Sequence, residues 1–293
     1  MADTGIPTNR NNIGLPPEIS AEIISKTQEA SAVMQLARQI NLPGRGIEIP
    51  VITSDPEAAW VSETGKKPVS NPGLDKKVMT AYKLAVIVPF SNEFRRDLPS
   101  LYDELVRRLP LALAQKFDAT VFGAGEAPGS NFDTFANVTG YAIDTDTYTG
   151  LVKADTAIAT AGGILNGFAI SPQAKGALLS AVDGNKRPLF INSVADGAVP
   201  MILGARTVLT KGAFVEGESE NTLGVAGDWT KAVYGTVEGV VIDYSSDATL
   251  TDGDTTINLF QNNMFAVRAE IEIGFRADTS VFAKLTGAND ASE

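Results

Sequence analysis

The sequence predicts an α+β fold built around a projecting hairpin, a long helix and a β-rich C-terminal part. Three observations support it: period-two apolar runs beginning at Ile47 and Val78, an apolar stripe with helical spacing from Leu98 to Val121, and another alternating run from Met264 to Phe275. The period of the apolar residues distinguishes a strand from a helix. Side chains alternate between the two faces of a strand but return to one face of a helix every three or four residues.

Composition narrows the classes of function. The chain has 293 residues, 44% of them hydrophobic, which suits one large domain or two modest ones. Its 35 acidic residues exceed its 24 lysines and arginines, and a net charge of −11 disfavours tight nucleic-acid binding by the whole surface. Cysteine and histidine are both missing, so the commonest general base and the thiolate and imidazole metal ligands are excluded. Only carboxylate, lysine or tyrosine chemistry is left, which is an unusual handicap for an enzyme. We expect no enzymatic activity, no catalytic residue, no cofactor and no metal.

The N-terminal part is predicted to be an extended polar arm, residues 1–14, followed by a helix. Pro16 and Pro17 suit a first helical turn, and an apolar face with helical spacing runs from Ile19 to an end near Asn41. The start of the chain lacks the pattern of a signal peptide, and no apolar stretch reaches 18 residues. These patterns predict synthesis in the cytoplasm and no membrane association.

A long hairpin is predicted next. The run from Ile47 to Val51 forms its first leg, and the run from Val78 to Val88 its second. A return leg of about fourteen residues would extend roughly 45 Å, so much of the ribbon should project from any compact body. Its loop, Trp60 to Pro68, exposes a large aromatic ring and two lysines. Because an isolated two-stranded ribbon is only marginally stable in water, something else should cover it.

The hairpin is also basic in an otherwise acidic chain. Between Thr64 and Lys83 there are five lysines and one aspartate, a balance of +4, whereas residues 236–293 have three basic and ten acidic residues, a balance of −7. Such complementary patches suit head-to-tail self-association, although a solvated lysine-rich hairpin remains the alternative. The candidate inter-subunit contacts are Trp60, Lys66, Lys67, Lys76 and Lys77.

The long helix begins at Pro99 and is predicted to end by Gly123. Pro110 lies in its interior, where it removes a backbone hydrogen bond, so we expect a bend there. Residues 146–235 contain signals for both helices and strands. They predict helices at Tyr148–Ala161 and Pro172–Val182, a strand at Gly167–Ser171, and short strands at 201–203, 207–209, 213–215 and 232–234.

Two groups of carboxylates raise the question of chemistry. Asp243, Asp247, Asp252 and Asp254 form an acidic surface candidate, but their spacing does not match a calcium loop, and Asp252-Gly253 is a standard turn signal. Glu270 and Glu272 share one face of a predicted strand, where exposure to solvent is the commoner meaning. A carboxylate-dependent hydrolase is a remote alternative, favoured only if these acids face a closed pocket.

Several segments in order resemble one family. They are Trp60-Val-Ser-Glu-Thr-Gly-Lys-Lys-Pro68, Ala85-Val-Ile-Val-Pro-Phe-Ser-Asn-Glu-Phe-Arg-Arg-Asp97, Lys116-Phe-Asp118, the Phe-Gly-Ala-Gly stretch ending at Gly125, Ile170-Ser-Pro172, Asp183-Gly184-Asn185, Gly227-Asp228-Trp229, and Asn258 to Glu270 running into Ile273-Gly-Phe275. Together they resemble the major capsid protein of tailed double-stranded-DNA phages, which has the Hong Kong 97-like fold. The resemblance covers most of the chain.

The resemblance implies an architecture and a function. Residues 1–46 correspond to the N-terminal arm and helix, 47–85 to the extended loop that overlaps a neighbouring subunit, 86–145 to the peripheral domain with its spine helix, 146–235 to the axial domain, and 236–293 to the returning peripheral strands. The implied function is self-assembly into hexamers and pentamers of an icosahedral shell around DNA, within the virion.

The resemblance also implies partners. They are further copies of the chain, a portal, a scaffolding protein that is separate or absent, and in some cases a cement protein. The acidic charge favours mechanical confinement of the double-stranded DNA over tight binding. Subunits are expected to lock noncovalently. An encapsulin-type compartment that holds cargo protein is the nearest alternative.

Overall fold

The computed structural model describes residues 27, 30–54, 58, 60–63, 66–67, 69, 73–97, 99–190, 201–253 and 255–289. The chain divides into two compact units. The first takes the described parts of Met1–Ser31, Lys83–Phe117 and Glu238–Glu272, and the second takes those of Ala32–Tyr82, Asp118–Val237 and Ile273–Glu293. The arm predicted for residues 1–14, and the predicted start of the first helix, lie outside the described residues.

Helices and strands are both present, as the predicted α+β class requires. The helices are α1 (Ala32–Leu36), α2 (Asn92–Asp97), α3 (Pro99–Phe122), α4 (Thr147–Thr160) and α5 (Pro172–Ser180). The strands are β1 (Arg38–Asn41), β2 (Ile47–Ser54), β3 (Gly73–Met79), β4 (Tyr82–Ser91), β5 (Gly140–Ala142), β6 (Gly167–Ile170), β7 (Met201–Ile202), β8 (Ala205–Leu209), β9 (Glu220–Gly227), β10 (Ala232–Thr236), β11 (Val241–Ser245), β12 (Thr249–Asp252), β13 (Thr255–Asn258), β14 (Met264–Ala277) and β15 (Phe282–Ala288). Of the helices described, none combines the length and the apolar composition needed to cross a lipid bilayer.

A six-stranded mixed sheet organises the second unit, in the order β5, β15, β9, β6, β8, β7. All four residues of β6 are buried, and this strand lies between β8, which is parallel to it, and β9, which is antiparallel. Helices α4 and α5 start where Asp146 and Ser171 accept hydrogen bonds from free backbone N–H groups of the first turn. The helices predicted from Tyr148 and Pro172 and the strand predicted from Gly167 are confirmed.

Strand β9 is a central strand that the sequence pattern missed. It is rich in small residues, so it has no strong period-two signal, yet Thr222–Gly227 are all buried. Glycine is required at two positions of β9, because neighbouring atoms leave no room for a Cβ. A Cβ on Gly224 would lie 2.6 Å from the Ala169 carbonyl oxygen, and one on Gly227 would overlap the ring of Phe282. Strand β15, the neighbour of β9, was also missed.

The short strand predicted at 213–215 is wrong. Lys211–Ala213 forms a single 3₁₀ turn, which begins where the Thr210 hydroxyl accepts a hydrogen bond from the Gly212 N–H. Val215 makes only an isolated bridge with Thr222. The hydrogen bond to the Thr210 hydroxyl offers the backbone an alternative to pairing with another strand. The strand prediction rested on apolar composition, which does not reveal such a bond.

An aromatic cluster forms a second part of this unit's core. Phe135, which is fully buried, lies with its ring centroid 4.6 Å from that of Phe282, 5.7 Å from Phe275 and 5.8 Å from Trp229. The Phe275 and Trp229 rings meet it edge to face, a favourable geometry for aromatic pairs. The cluster therefore joins the loop at Phe135 to two strands and to the turn after β9.

Strand β14 contributes to both units. Its residues Ala266–Glu270 pair antiparallel with β11, and β4 also pairs with this strand. Its residues Ile273–Ala277 pair antiparallel with β10. The predicted alternation is confirmed, because Phe265, Val267, Ala269, Ile271, Ile273 and Phe275 are all buried.

The first predicted helix is wrong at its C-terminal end. Helix α1 stops at Leu36, and Arg38–Asn41 forms β1, parallel to β10. The Leu42 N–H continues this pairing by donating to the Thr236 carbonyl, at 3.0 Å. The edge of β10 offers backbone hydrogen-bond partners to Arg38–Asn41, and this pairing overrides the helical spacing of the apolar residues. The local sequence does not reveal such a partner, because it comes from a distant part of the chain.

The long helix is confirmed as α3, and one of its acids is buried. Buried residues recur in pairs along it: Leu109 and Pro110, Leu113 and Ala114, Phe117 and Asp118, Val121 and Phe122. The Asp118 carboxylate accepts hydrogen bonds from the Ala32 N–H at 2.8 Å and the Thr210 hydroxyl at 3.1 Å. Since the first N–H groups of a helix lack internal partners, Asp118 satisfies the start of α1.

Candidate inter-subunit surface

Strands β2 and β3 form a two-stranded ribbon of their own. The register runs from Ile47 opposite Met79 to Ser54 opposite Gly73, with one irregularity near Ile52. The hairpin prediction is therefore confirmed in kind but wrong in its second leg. The chain leaves strand geometry at Thr80 and Ala81, and the run that follows belongs to β4, which pairs with β14.

The loop of the ribbon exposes the residues that the sequence placed at its tip. Trp60 is fully exposed, at 106% of its reference area, and Val69 is 87% exposed. Lys66 and Lys67 are also exposed. An uncovered tryptophan leaves a large apolar area in water, and such an area marks an interaction site when other apolar residues lie near it.

Lys76 and Lys77 contact their own chain. The Lys76 ammonium lies 2.7 Å from the Glu48 carboxylate across the ribbon, and this hydrogen bond raises the pKa of Lys76. Both side chains are largely exposed, so this ion pair stabilises the ribbon only weakly. Lys77 donates to the Ala277 carbonyl at 2.9 Å and lies 3.5 Å from the Asp133 carboxylate.

A set of charged residues at the base of the ribbon, here called the ribbon clamp, consists of Lys77, Asp133 and Arg276. The Arg276 guanidinium donates to Asp133 at 2.8 Å, to the Val78 carbonyl at 2.8 Å and to the Asn131 side chain at 3.0 Å. Asp133 also accepts from the Ala277 N–H at 3.0 Å. Arg276 therefore ties strand β3 to a loop and to β14.

Sequence reasoning missed the ribbon clamp. Asp133 and Arg276 are 143 positions apart, and neither belongs to a local motif. The one available signal was Arg276 itself, a charged residue that occupies a polar position of the alternating run of β14.

Glycines fix the backbone where the chain enters the ribbon and where β14 passes beneath it. Gly46 has φ +83°, in the left-handed region, and a Cβ there would lie 2.5 Å from the Met79 carbonyl oxygen. A Cβ on Gly274 would lie 2.5 Å from the Thr80 carbonyl oxygen. Met79, fully buried, packs between them with Leu42 and Val233. The ribbon thus has a close-packed base and an exposed loop.

Pro110 lies inside α3 and is buried. The helix continues through it for twelve further residues, to Phe122. The bend that we expect at Pro110 stays a prediction.

The aspartates of the acidic surface candidate are spread over separate elements. Asp243, on β11, accepts a hydrogen bond from Arg268, which raises the pKa of that arginine. Asp247 accepts from the Ser246 hydroxyl at 3.3 Å. Asp252 ends β12 at the predicted Asp-Gly turn, which is confirmed with Gly253 at φ +55°, and Asp254 lies outside the described residues. Among the residues described, no three carboxylates come together as a metal site.

Glu270 and Glu272, the strand carboxylates, face cations. Glu270 lies 3.5 Å from Arg268, and Glu272 lies 3.0 Å from Lys83. The hydrogen bond to Glu272 raises the pKa of Lys83. Neither acid lines the cleft of the second unit that is discussed below.

Comparison with known proteins decides the family. The sequence model of the phage capsid family matches residues 11–285. This chain belongs to the phage capsid family. The capsid protein is 28% identical to the "Probable major capsid protein gp17" of Mycobacterium phage D29 over 93% of its own length and 89% of the relative's. It is 25% identical to the "Major capsid protein" of Staphylococcus phage 80alpha, over 94% of this chain and 86% of that one.

Solved structures agree with this on the fold of the capsid protein. A structure from Mycobacterium phage Adephagia superposes with a TM-score of 0.74 at 19% identity, covering 88% of this chain and 90% of that one. The capsid of a native GTA particle superposes with a TM-score of 0.66 at 17% identity, covering 89% and 91%. The two sequence relatives are named as major capsid proteins of phages, which favours a phage capsid over the encapsulin alternative.

Proposed function

We propose that this major capsid protein assembles with copies of itself into hexamers and pentamers, and that these form an icosahedral shell around double-stranded DNA in the virion. The observation that carries the proposal is the ribbon of β2 and β3, whose loop exposes Trp60 completely. A two-stranded ribbon is marginal in water by itself. A neighbouring subunit that covers this loop would remove the apolar area from water.

The charges of the ribbon support the same contact. Lys66 and Lys67 are exposed and form no ion pair with any described residue, so their charges are available to an acidic neighbour. Lys76 is mostly exposed despite its bond to Glu48, and it extends the basic stripe. Lys77 would contribute indirectly, because its contact with Asp133 in the ribbon clamp holds the base of the ribbon. Many weak contacts of this kind become strong in a closed shell through multivalency.

The regional roles follow from this proposal. Residues 1–46 would serve as the N-terminal arm, 47–85 as the extended loop, 86–145 and 236–293 as the peripheral domain, and 146–235 as the axial domain. A portal, a scaffolding protein and a cement protein would be the further partners, and synthesis would take place in the host cytoplasm. The shell, built from chains of net charge −11, would enclose DNA without adhering strongly to it.

The test is charge reversal at the loop, with the double variant Lys66→Glu and Lys67→Glu. We expect a folded subunit with an unchanged melting temperature and a loss of closed shells in sedimentation and negative-stain electron microscopy. The matched control reverses Lys186 and Arg187, two adjacent exposed cations in another loop, and should assemble normally. Normal shells from the Lys66 and Lys67 variant would contradict the docking of the loop. Shells from infected cells should also protect DNA from nuclease.

A further inference from the structure

A cleft of about 400 Å³ in the second unit has arginines on two sides. Arg38 comes from β1 and Arg206 from β8, and both are exposed. Arg206 donates to the Gln35 side-chain oxygen at 3.0 Å, and in the part of the chain that the structure describes neither arginine forms an ion pair. Two guanidinium groups that have no ion-pair partner among the described residues therefore line one concavity in a chain with a net charge of −11.

The floor of this cleft is held rigidly. Trp229 is 2% exposed, and its indole N–H donates to the Gly167 carbonyl at 3.0 Å. Asn166 accepts from the Trp229 N–H and donates to Asp228, both at 2.9 Å. Asp228 also accepts from the Thr230 hydroxyl, so this carboxylate is occupied within its own turn. The cleft therefore presents fixed walls and two available cations, a geometry that suits a carboxylate.

An acidic loop with the complementary property lies in the same unit. Glu216, Glu218 and Glu220 fall within five residues, all exposed, and none forms an ion pair with a described residue. The loop is fixed by reciprocal backbone hydrogen bonds between Val215 and Thr222, at 3.0 and 2.8 Å. The Asn289 side chain also donates to the Gly217 carbonyl at 2.9 Å. These carboxylates are therefore held in place without a cation beside them.

Strand β9 keeps the cleft and the acidic loop apart within one chain. The strand starts at Glu220 and ends at Gly227, which pairs with Gly167, and Gly167 pairs in turn with Arg206. The acidic loop thus lies at the start of β9 and the cleft at its end, seven residue steps or about 23 Å away at strand rise. An arginine and a glutamate side chain together do not span that distance.

We propose that the cleft of one subunit binds the acidic loop of the next, with Arg38 and Arg206 as donors to the carboxylates of Glu216, Glu218 and Glu220. The inference rests on the proposed self-assembly and names one of its contacts. Because the two surfaces differ and lie at opposite ends of one strand, the contact is heterologous, and a heterologous contact that closes on itself generates a ring. The basic ribbon is a separate surface and takes no part in this contact.

Charge exchange tests the pairing. Variant A changes Arg38 and Arg206 to Glu, and variant B changes Glu216, Glu218 and Glu220 to Arg. Each alone should stay folded but lose rings and shells, since like charges then meet at every contact. Mixed in equal amounts, A and B should recover six-membered rings, because each cleft again meets a loop of opposite charge. A chain that carries all five changes should recover assembly by itself.

A covalent probe reports the contact directly, because the chain has no cysteine of its own. The variant Arg206→Cys with Glu218→Cys should form disulfides between subunits on oxidation of assembled material, giving a ladder of multimers in a denaturing gel. The control variant Arg206→Cys with Glu126→Cys moves the second thiol to another exposed glutamate and should stay monomeric.

The outcomes separate the two proposals. If the wild-type chain forms normal particles, three results would each overturn the cleft contact while leaving self-assembly intact. They are assembled Arg206→Cys, Glu218→Cys material that forms no cross-link, equal cross-linking of the control variant, and normal assembly of variants A and B. A wild-type chain that never assembles, with or without a scaffold from the same phage, would overturn both.

Discussion

Replacing Asp133 with Asn is expected to lower the free energy of unfolding by about 2 kcal/mol. The carboxylate bonds Arg276 at 2.8 Å and the Ala277 N–H at 3.0 Å, and lies 3.5 Å from Lys77. The amide keeps the shape but loses the charge and turns one acceptor into a donor. A hydrogen bond to a charged group contributes about 1.5–3 kcal/mol, and breaking a fully buried pair costs about 3–5 kcal/mol. Asp133 and Arg276 keep 20% and 11% side-chain exposure, which places the effect at the low end.

The assay is equilibrium urea unfolding of the dispersed subunit, followed by tryptophan fluorescence. The chain has two tryptophans, and changing the exposed Trp60 to Phe leaves Trp229 as the sole reporter. Trp229 is buried against Phe135, so its emission should change on unfolding. Asp247→Asn, at an exposed aspartate bonded only weakly to Ser246, is the control. If the two variants agree within about 0.5 kcal/mol, a typical surface effect, the clamp does not stabilise the ribbon base.

Two further predictions concern backbone and pH. Gly46→Ala should destabilise the subunit by about 2 kcal/mol or more in the same urea assay, because φ +83° and the Met79 carbonyl oppose a Cβ; Gly44→Ala, with open space around it, should be nearly neutral, and equal effects would refute the argument. Burial alone would raise the pKa of Asp228, but hydrogen bonds from Thr230 and Ile164 outweigh it and hold the pKa below its ordinary value. A lowered pKa in the folded state stabilises the fold above the unfolded pKa of about 3.9, and this is lost as pH falls through the folded value. Melting temperatures from pH 7 to pH 3 should therefore show Asp228→Asn below wild type at neutral pH and converging with it in acid; a gap that widens in acid would contradict this sign.

The elements that sequence predicted well are those with a strong period or a clear boundary residue. Helix α3 has an apolar stripe over six turns, and α5 has Pro172 just inside its start and Ser171 as its cap. The alternation in β14 likewise matches its buried residues. In each case the signal is local, because the periodicity or the cap is written within one segment.

The elements that sequence predicted poorly depend on distant partners. Residues Arg38–Asn41 continue a helical spacing yet pair with β10, and the second leg of the ribbon ends at Met79 because the next run pairs with β14. Strand β9 lacks an apolar period because Gly224 and Gly227 admit neighbouring atoms where other strands carry side chains. The strand edges that accept a new partner, and the places where neighbouring atoms come too close for a side chain, exist only in the folded chain.

The candidate surfaces divide in the same way. Sequence alone determined that the chain is acidic, that it lacks histidine and cysteine, and that Trp60, Lys66 and Lys67 lie in an exposed loop, because composition and loop signals are local. Only the tertiary structure decided that Lys77 is held by Asp133 and that Arg276 ties the ribbon to its base. It also decided that Arg38 and Arg206 share a cleft at the opposite end of β9 from Glu220. These groups are far apart in sequence, and they come together only where strand pairing and packing of the core bring their backbones close.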